Sequence, residues 1–173
     1  MNKLAIQQLQ EGYRREAFSV EEIIDQTLAL AEEYADYNIW IHRLEKKEIM
    51  TYVQQLEKFS PKDKPLWGIP FAIKDNIDLA NVPTTAACPE FSYIPEKSAQ
   101  VVQQLIDAGA IPIGKTNMDQ FATGLVGTRS PHGFRSSAGR LEQYHRLQSS
   151  VRQLFYGWSG AGLRILGLRL SFR

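Results

Sequence analysis

Gly68-Ile69-Pro70-Phe71-Ala72-Ile73-Lys74-Asp75-Asn76 decides how this chain is read. Residues 69–73 cluster β-branched and aromatic side chains without helical spacing, which predicts a short buried strand. Lys74 ends that strand. An unpaired ammonium fully buried there costs on the order of several kcal/mol. A buried lysine sheds its proton and becomes a base, one way to activate a serine without histidine. A structural lysine paired with Asp75 or Asp78 fits the same position, since most pocket-like lysines are ordinary ion pairs.

Working outward, residues 78–97 form a loop broken by Pro83, Pro89 and Pro95. Ser98 is the expected cap of a helix running to Ala108, with Val101, Val102, Leu105 and Ile106 on its buried side and Gly109 as its stop. Residues 110–114 read as a second apolar strand, completing a βαβ unit and predicting an α/β fold with parallel pairing. Residues 117–121 are expected to start a short helix. Upstream, Pro61-Lys-Asp-Lys-Pro65 is a turn-rich junction. Residues 1–60 read as helical. Ser19-Val-Glu-Glu22 fits a capping box, and Ile23, Ile24, Leu28, Ala31 and Tyr34 recur at helical spacing after it. A further helix is expected at about 46–58, and Tyr37-Asn-Ile-Trp-Ile-His42 as a turn or short extended piece.

Pro65-Leu-Trp-Gly-Ile-Pro-Phe-Ala-Ile-Lys-Asp-Asn-Ile-Asp78 resembles the lysine-bearing segment of the amidase signature family. The resemblance continues through Pro83-Thr-Thr-Ala-Ala-Cys-Pro89, Ala110-Ile-Pro-Ile-Gly-Lys-Thr-Asn-Met-Asp-Gln-Phe-Ala-Thr-Gly124 and Leu125-Val-Gly-Thr-Arg-Ser-Pro-His-Gly133. Within that family it is most similar to the allophanate hydrolase branch. The resemblance implies the N-terminal portion of an amidase signature fold: a helical start over 1–60, then βαβ units of a mixed central sheet from 61–133. It also implies hydrolysis of a small-molecule amide, allophanate (urea-1-carboxylate), to ammonia and carbon dioxide by a Ser-Ser-Lys triad. Lys74 matches the family lysine. Phe121-Ala-Thr-Gly124 would lie beside the scissile carbonyl, so Ala122, Thr123 and Gly124 are candidate substrate-binding residues. Arg129 is a further candidate, because a guanidinium grips a carboxylate in a fork; a salt bridge supporting the core fits it equally. Lys115 also ends a strand and is expected to be a structural ion-pair partner. Asp75 and Asn76 are expected to fix the local turn. Full-length members of the family are expected to be homo-oligomeric.

After Gly133 the resemblance ends. The Gly-Ser-rich loop and the Leu-Gly-Thr-Asp-type stretch that would carry the two serines are missing from the sequence. Charge breaks at the same place. The chain totals 20 Lys and Arg against 19 Asp and Glu, yet residues 134–173 carry seven arginines, no lysine and the single acid Glu142, a net +6. Residues 1–133 hold 13 basic against 18 acidic residues, a net −5. Three readings of this tail compete: a basic, aromatic-rich arm for nucleic acid or an anionic surface, a disordered end, or a frameshifted translation. The frameshift is favoured. Reading Leu163-Arg-Ile-Leu-Gly-Leu-Arg169 one base later, with suitable codons, yields Phe-Val-Ser-Leu-Gly-Ser-Asp, and Arg152-Gln-Leu154 yields a Gly-Ser stretch. Ser136, Ser137, Ser149, Ser150 and Ser159 lack the glycine pattern in the given frame and are expected to be incidental. The expected product is therefore truncated and inactive.

One cysteine, Cys88, excludes an internal disulfide and predicts a reducing cytoplasm. No signal peptide or membrane-spanning run is read. His42, His132 and His145 show no ligand spacing, so no metal is expected, nor any other cofactor. Nucleic acid is not an expected partner, although two alternatives stand beside the allophanate reading. One is a general amidase or amidotransferase subunit; the other is a non-enzymatic binding protein that uses the basic tail.

Overall fold

The computed structural model describes residues 6–56, 60, 62–124 and 128–133. Expectations for the tail at 134–173 lie outside them. The chain begins with α1 (Ile6–Arg14) and α2 (Val20–Glu33). The predicted capping box starts α2: Ser19 Oγ accepts from the Glu22 amide at 3.1 Å, and Glu22 Oε2 accepts from the Ser19 amide at 2.7 Å. Two of the orphan donors of the first turn are satisfied this way. Val20, Ile23, Ile24 and Ala31 are the buried stripe of α2.

The stretch expected as a turn or extended piece is β1 (Trp40–Arg43), followed by α3 (Lys46–Gln54). The opening stretch is β2 (Pro70–Lys74), and α4 (Gln100–Asp107) leads to β3 (Ile111–Thr116). Sheet order is β1-β3-β2, with β2 parallel to β3 and β1 antiparallel to it. The predicted βαβ unit is thus present, within a mixed α/β sheet. Its interior is apolar: Ile24, Ile49, Ile73, Leu79, Ile111 and Ile113 are almost wholly removed from water.

Helix α4 ends as Gly109 predicts. With φ +91° there, Ala110 N donates to Leu105 O at 3.0 Å and Gly109 N to Ile106 O at 2.8 Å, the paired bonds of a Schellman motif. Its start differs from expectation. The N-cap is Ala99, without a side-chain bond. The Ser98 hydroxyl instead accepts from the Ala80 amide at 3.0 Å, because the returning loop at 78–80 brings a competing donor to it.

A one-residue irregularity in the β2–β3 pairing matters for the site. Phe71 pairs with Pro112 but Ala72 pairs with Gly114, so Ile73 pairs with Lys115 and Lys74 with Thr116. A one-residue slip sends side chains to the opposite face. Without it, the even count from Phe71 and Pro112 would set Lys74 beside Lys115.

Candidate active site

The family-like residues gather at the carboxyl ends of the parallel strands β2 and β3, the edge where open α/β sheets bind ligands. Lys74 closes β2 and is exposed. The burial expected of it from sequence is not found, and among the described residues it has no ion-pair partner. Pro70 and Ala72, on the same face of β2, are buried, and Lys74 is exposed as the last residue of the strand; Lys115, aligned with Ile73, is the lysine that is fully buried. Lys115 Nζ donates to Thr84 Oγ1 at 2.9 Å, Pro83 O at 3.2 Å and Asp75 O at 3.4 Å. It also faces Asp75 Oδ1 at 3.7 Å, so Lys115 is the expected ion-pair partner. Burial pushes its ammonium below the usual lysine value, while the charges of Asp75 and Asp78 oppose that shift.

Asp75 is equally buried. Its Oδ2 accepts from the Thr85 amide at 3.2 Å, the Ala87 amide at 3.1 Å and the Thr85 hydroxyl. Asp75 therefore fixes the loop at 84–87, ten and more residues on, rather than the local turn expected of it, and Asn76 is exposed. Within that loop Ala86 and Ala87 both lie in the left-handed region, at φ 50° and 57°. Ala86 O accepts from the Phe121 amide at 3.0 Å. Phe121 and Ala122 form a second left-handed pair, at φ 49° and 58°.

These bonds link the end of β2 to the strip at 121–124. The predicted helix at 117–121 is replaced by a 3-10 turn, Gln120–Ala122. Asn117 Oδ1 accepts from the Met118 amide at 2.8 Å and Ser130 Oγ at 2.6 Å, which favours a local turn over a helix. The amides of Ala122 and Thr123 donate to Asp119 O and Gln120 O. With Phe121 bound to Ala86, these three amides are already engaged. Arg129 Nη1 donates to Thr123 O at 2.7 Å, and its own amide donates to Asp119 Oδ1 at 2.7 Å. Arg129 thus braces the strip through backbone oxygen; among the described residues its exposed side chain makes no salt bridge. Gly124 fits closely beneath, since a Cβ there would come within 2.5 Å of Asp119 Oδ2.

Sequence reasoning missed the role of the loop at 84–87 and the aromatic flank beside it. Phe91 meets Tyr93 and Phe121 edge to face at centroid distances of 5.7 and 5.4 Å, and all three rings are exposed. The spaced aromatics were legible, but not their convergence. A cavity of about 190 Å³ lined by Tyr52, Leu56, Ile106 and Ile111 lies at the opposite end of β3. Among the described residues no three His, Cys, Asp or Glu side chains converge as a metal site, and no helix is long and apolar enough to cross a membrane.

A family model described as Amidase matches residues 19–137. The urea amidolyase of Saccharomyces cerevisiae is 55% identical over 97 residues, which are 56% of this chain and 5% of that protein. A glutamyl-tRNA(Gln) amidotransferase subunit of Lachnoclostridium phytofermentans is 35% identical over 147 residues, 82% of this chain and 30% of that one. Among solved structures, Kluyveromyces lactis allophanate hydrolase superposes with a TM-score of 0.64 at 39% identity, over 75% of this chain and 22% of that chain. This chain thus spans less than a third of the length of each of these three relatives.

Proposed function

The chain belongs to the amidase family, and from that premise we propose that it is a portion of an allophanate hydrolase in which Lys74 is the catalytic base. The observation that carries this reading is the 55% identity to a urea amidolyase over 97 residues. In the proposed reaction Lys74 takes the proton of the nucleophilic serine through a relaying serine. The nucleophilic serine attacks the amide carbonyl, and the C–N bond breaks as the proton returns from Lys74 to the leaving nitrogen, which departs as ammonia. Water then cleaves the acyl–serine ester, freeing the serine and N-carboxycarbamate, which breaks down to carbon dioxide and a second ammonia. The substrate is a small amide, and the single cysteine fits a cytoplasmic setting.

The given reading of 134–173 supplies no glycine-patterned serine, and the described residues leave Lys74 uncovered. A lysine works as a base when burial disfavours its charged form. We therefore propose that this chain alone is inactive and that its tail is out of frame. Purified chain incubated with allophanate is expected to release no ammonia. Turnover that disappears with Lys74→Ala would overturn the inactivity. Resequencing across the codons for His132 to Arg135 tests the tail: no Gly-Ser-rich loop in the alternate frame ends the frameshift reading. A restored chain is expected to release ammonia from allophanate in a Lys74-dependent way. The likeness to a component of an amidotransferase over 82% of this chain favours a second reading. Release from glutamine but not allophanate would select it.

A further inference from the structure

The Phe121 amide bound to the Ala86 carbonyl joins two left-handed pairs, 86–87 and 121–122, and a buried ion pair contacts the loop that carries the first. Each is a non-glycine residue in a region that L side chains rarely adopt. Strain of this kind persists only where surrounding structure over-determines it, and it gathers at functional sites. Here the over-determination is visible. Three donors from the loop converge on Asp75 Oδ2. Among the described residues Asp75 Oδ1 has no hydrogen-bond partner, and the Lys115 ammonium lies 3.7 Å from it. Lys115 in turn grips Thr84 Oγ1 and Pro83 O, immediately before the strained pair. Ala86 O then carries the constraint to Phe121.

We propose that Asp75 and Lys115 are positioning residues for the candidate site. The pair clamps residues 83–87 from two sides and forces Ala86 and Ala87 left-handed. The Ala86 carbonyl thereby fixes the strip at 121–124 in relation to the end of β2. This deepens the amidase reading of the same site and rests on it for its functional meaning. The clamp itself is a property of the chain without substrate, so its test is independent of any turnover. An ion pair that merely filled the core would act on the sheet and be indifferent to the loop backbone.

The test is amide hydrogen exchange on the full chain, comparing Lys115→Met with and without Ala86→Gly and Ala87→Gly. In Lys115→Met, the amides of Thr85, Ala87 and Phe121 are expected to lose protection beyond the fall that lower global stability imposes on those of Ile73 and Ile113. Glycine adopts φ > 0 freely, so the two glycines are expected to restore roughly tenfold protection at the loop. Loop amides that stay protected in Lys115→Met, or glycines that restore nothing, overturn the proposal. If Lys115→Met does not fold, the glycine pair in the otherwise unchanged chain decides. Loop exchange about tenfold slower supports the strained clamp, and unchanged or faster exchange overturns it. Failure of allophanate release from the restored chain would instead sink the functional reading and leave the exchange result standing.

Discussion

Lys74 and Lys115 sit near the ends of adjacent parallel strands, and their surroundings are opposite. Lys74 reaches solvent, whereas Lys115 is sealed against Asp75 and Thr84. Lys74→Ala is expected to change stability by no more than about 0.5 kcal/mol, as an exposed substitution does. Lys115→Met strands a buried carboxylate and is expected to cost about 3 kcal/mol. Urea unfolding of both variants checks the contrast, and equal losses would contradict it. Burial lowers the Lys115 value, so the unfolded chain binds more protons between that depressed value and the unfolded lysine value of about 10.4. Stability from this group therefore rises with pH across that window. The stability gap between the parent chain and Lys115→Met is expected to widen as pH climbs toward about 10.4. A gap that narrows would reverse the assignment.

The elements follow from local signals wherever those signals compete with nothing distant. Ser19 and Glu22 cap α2 because both partners lie within one turn. Gly109 stops α4 for the same reason, and it also packs tightly: a Cβ there would lie 2.9 Å from the Trp67 Cα. Gly109→Ala is thus expected to destabilise the chain by more than about 1 kcal/mol, combining left-handed strain with backbone crowding. Thermal unfolding measures this, and a neutral variant would show that the helix end can shift. Ser98 illustrates the converse. Its capping signal loses to the Ala80 amide, a donor eighteen residues away. Residues 117–121 likewise fail to become a regular helix because Ser130 and Arg129 return to Asn117 and Asp119.

At the scale of the molecule, β1 and β2 are the outer strands of a three-stranded sheet, and among the described residues each pairs only with β3. Outer strands with open hydrogen-bonding groups recruit other chains, and exposed Phe91, Tyr93, Ile94 and Phe121 add apolar surface. Sedimentation velocity is expected to show self-association that grows with concentration; a single monomeric species at about 100 μM would contradict this. Much of the fold was legible in residues 65–124, since apolar runs, a helical stripe and Gly109 are local codes for strand, helix and stop. Lys74 stood out for the same reason, as a charge closing an apolar run. The sequence by itself therefore determined the βαβ order and the family to which it belongs. Only the tertiary structure decided which lysine is buried, because the groups that seal Lys115, on Asp75, Pro83 and Thr84, lie 31 to 40 residues from it along the chain and meet it only in the fold.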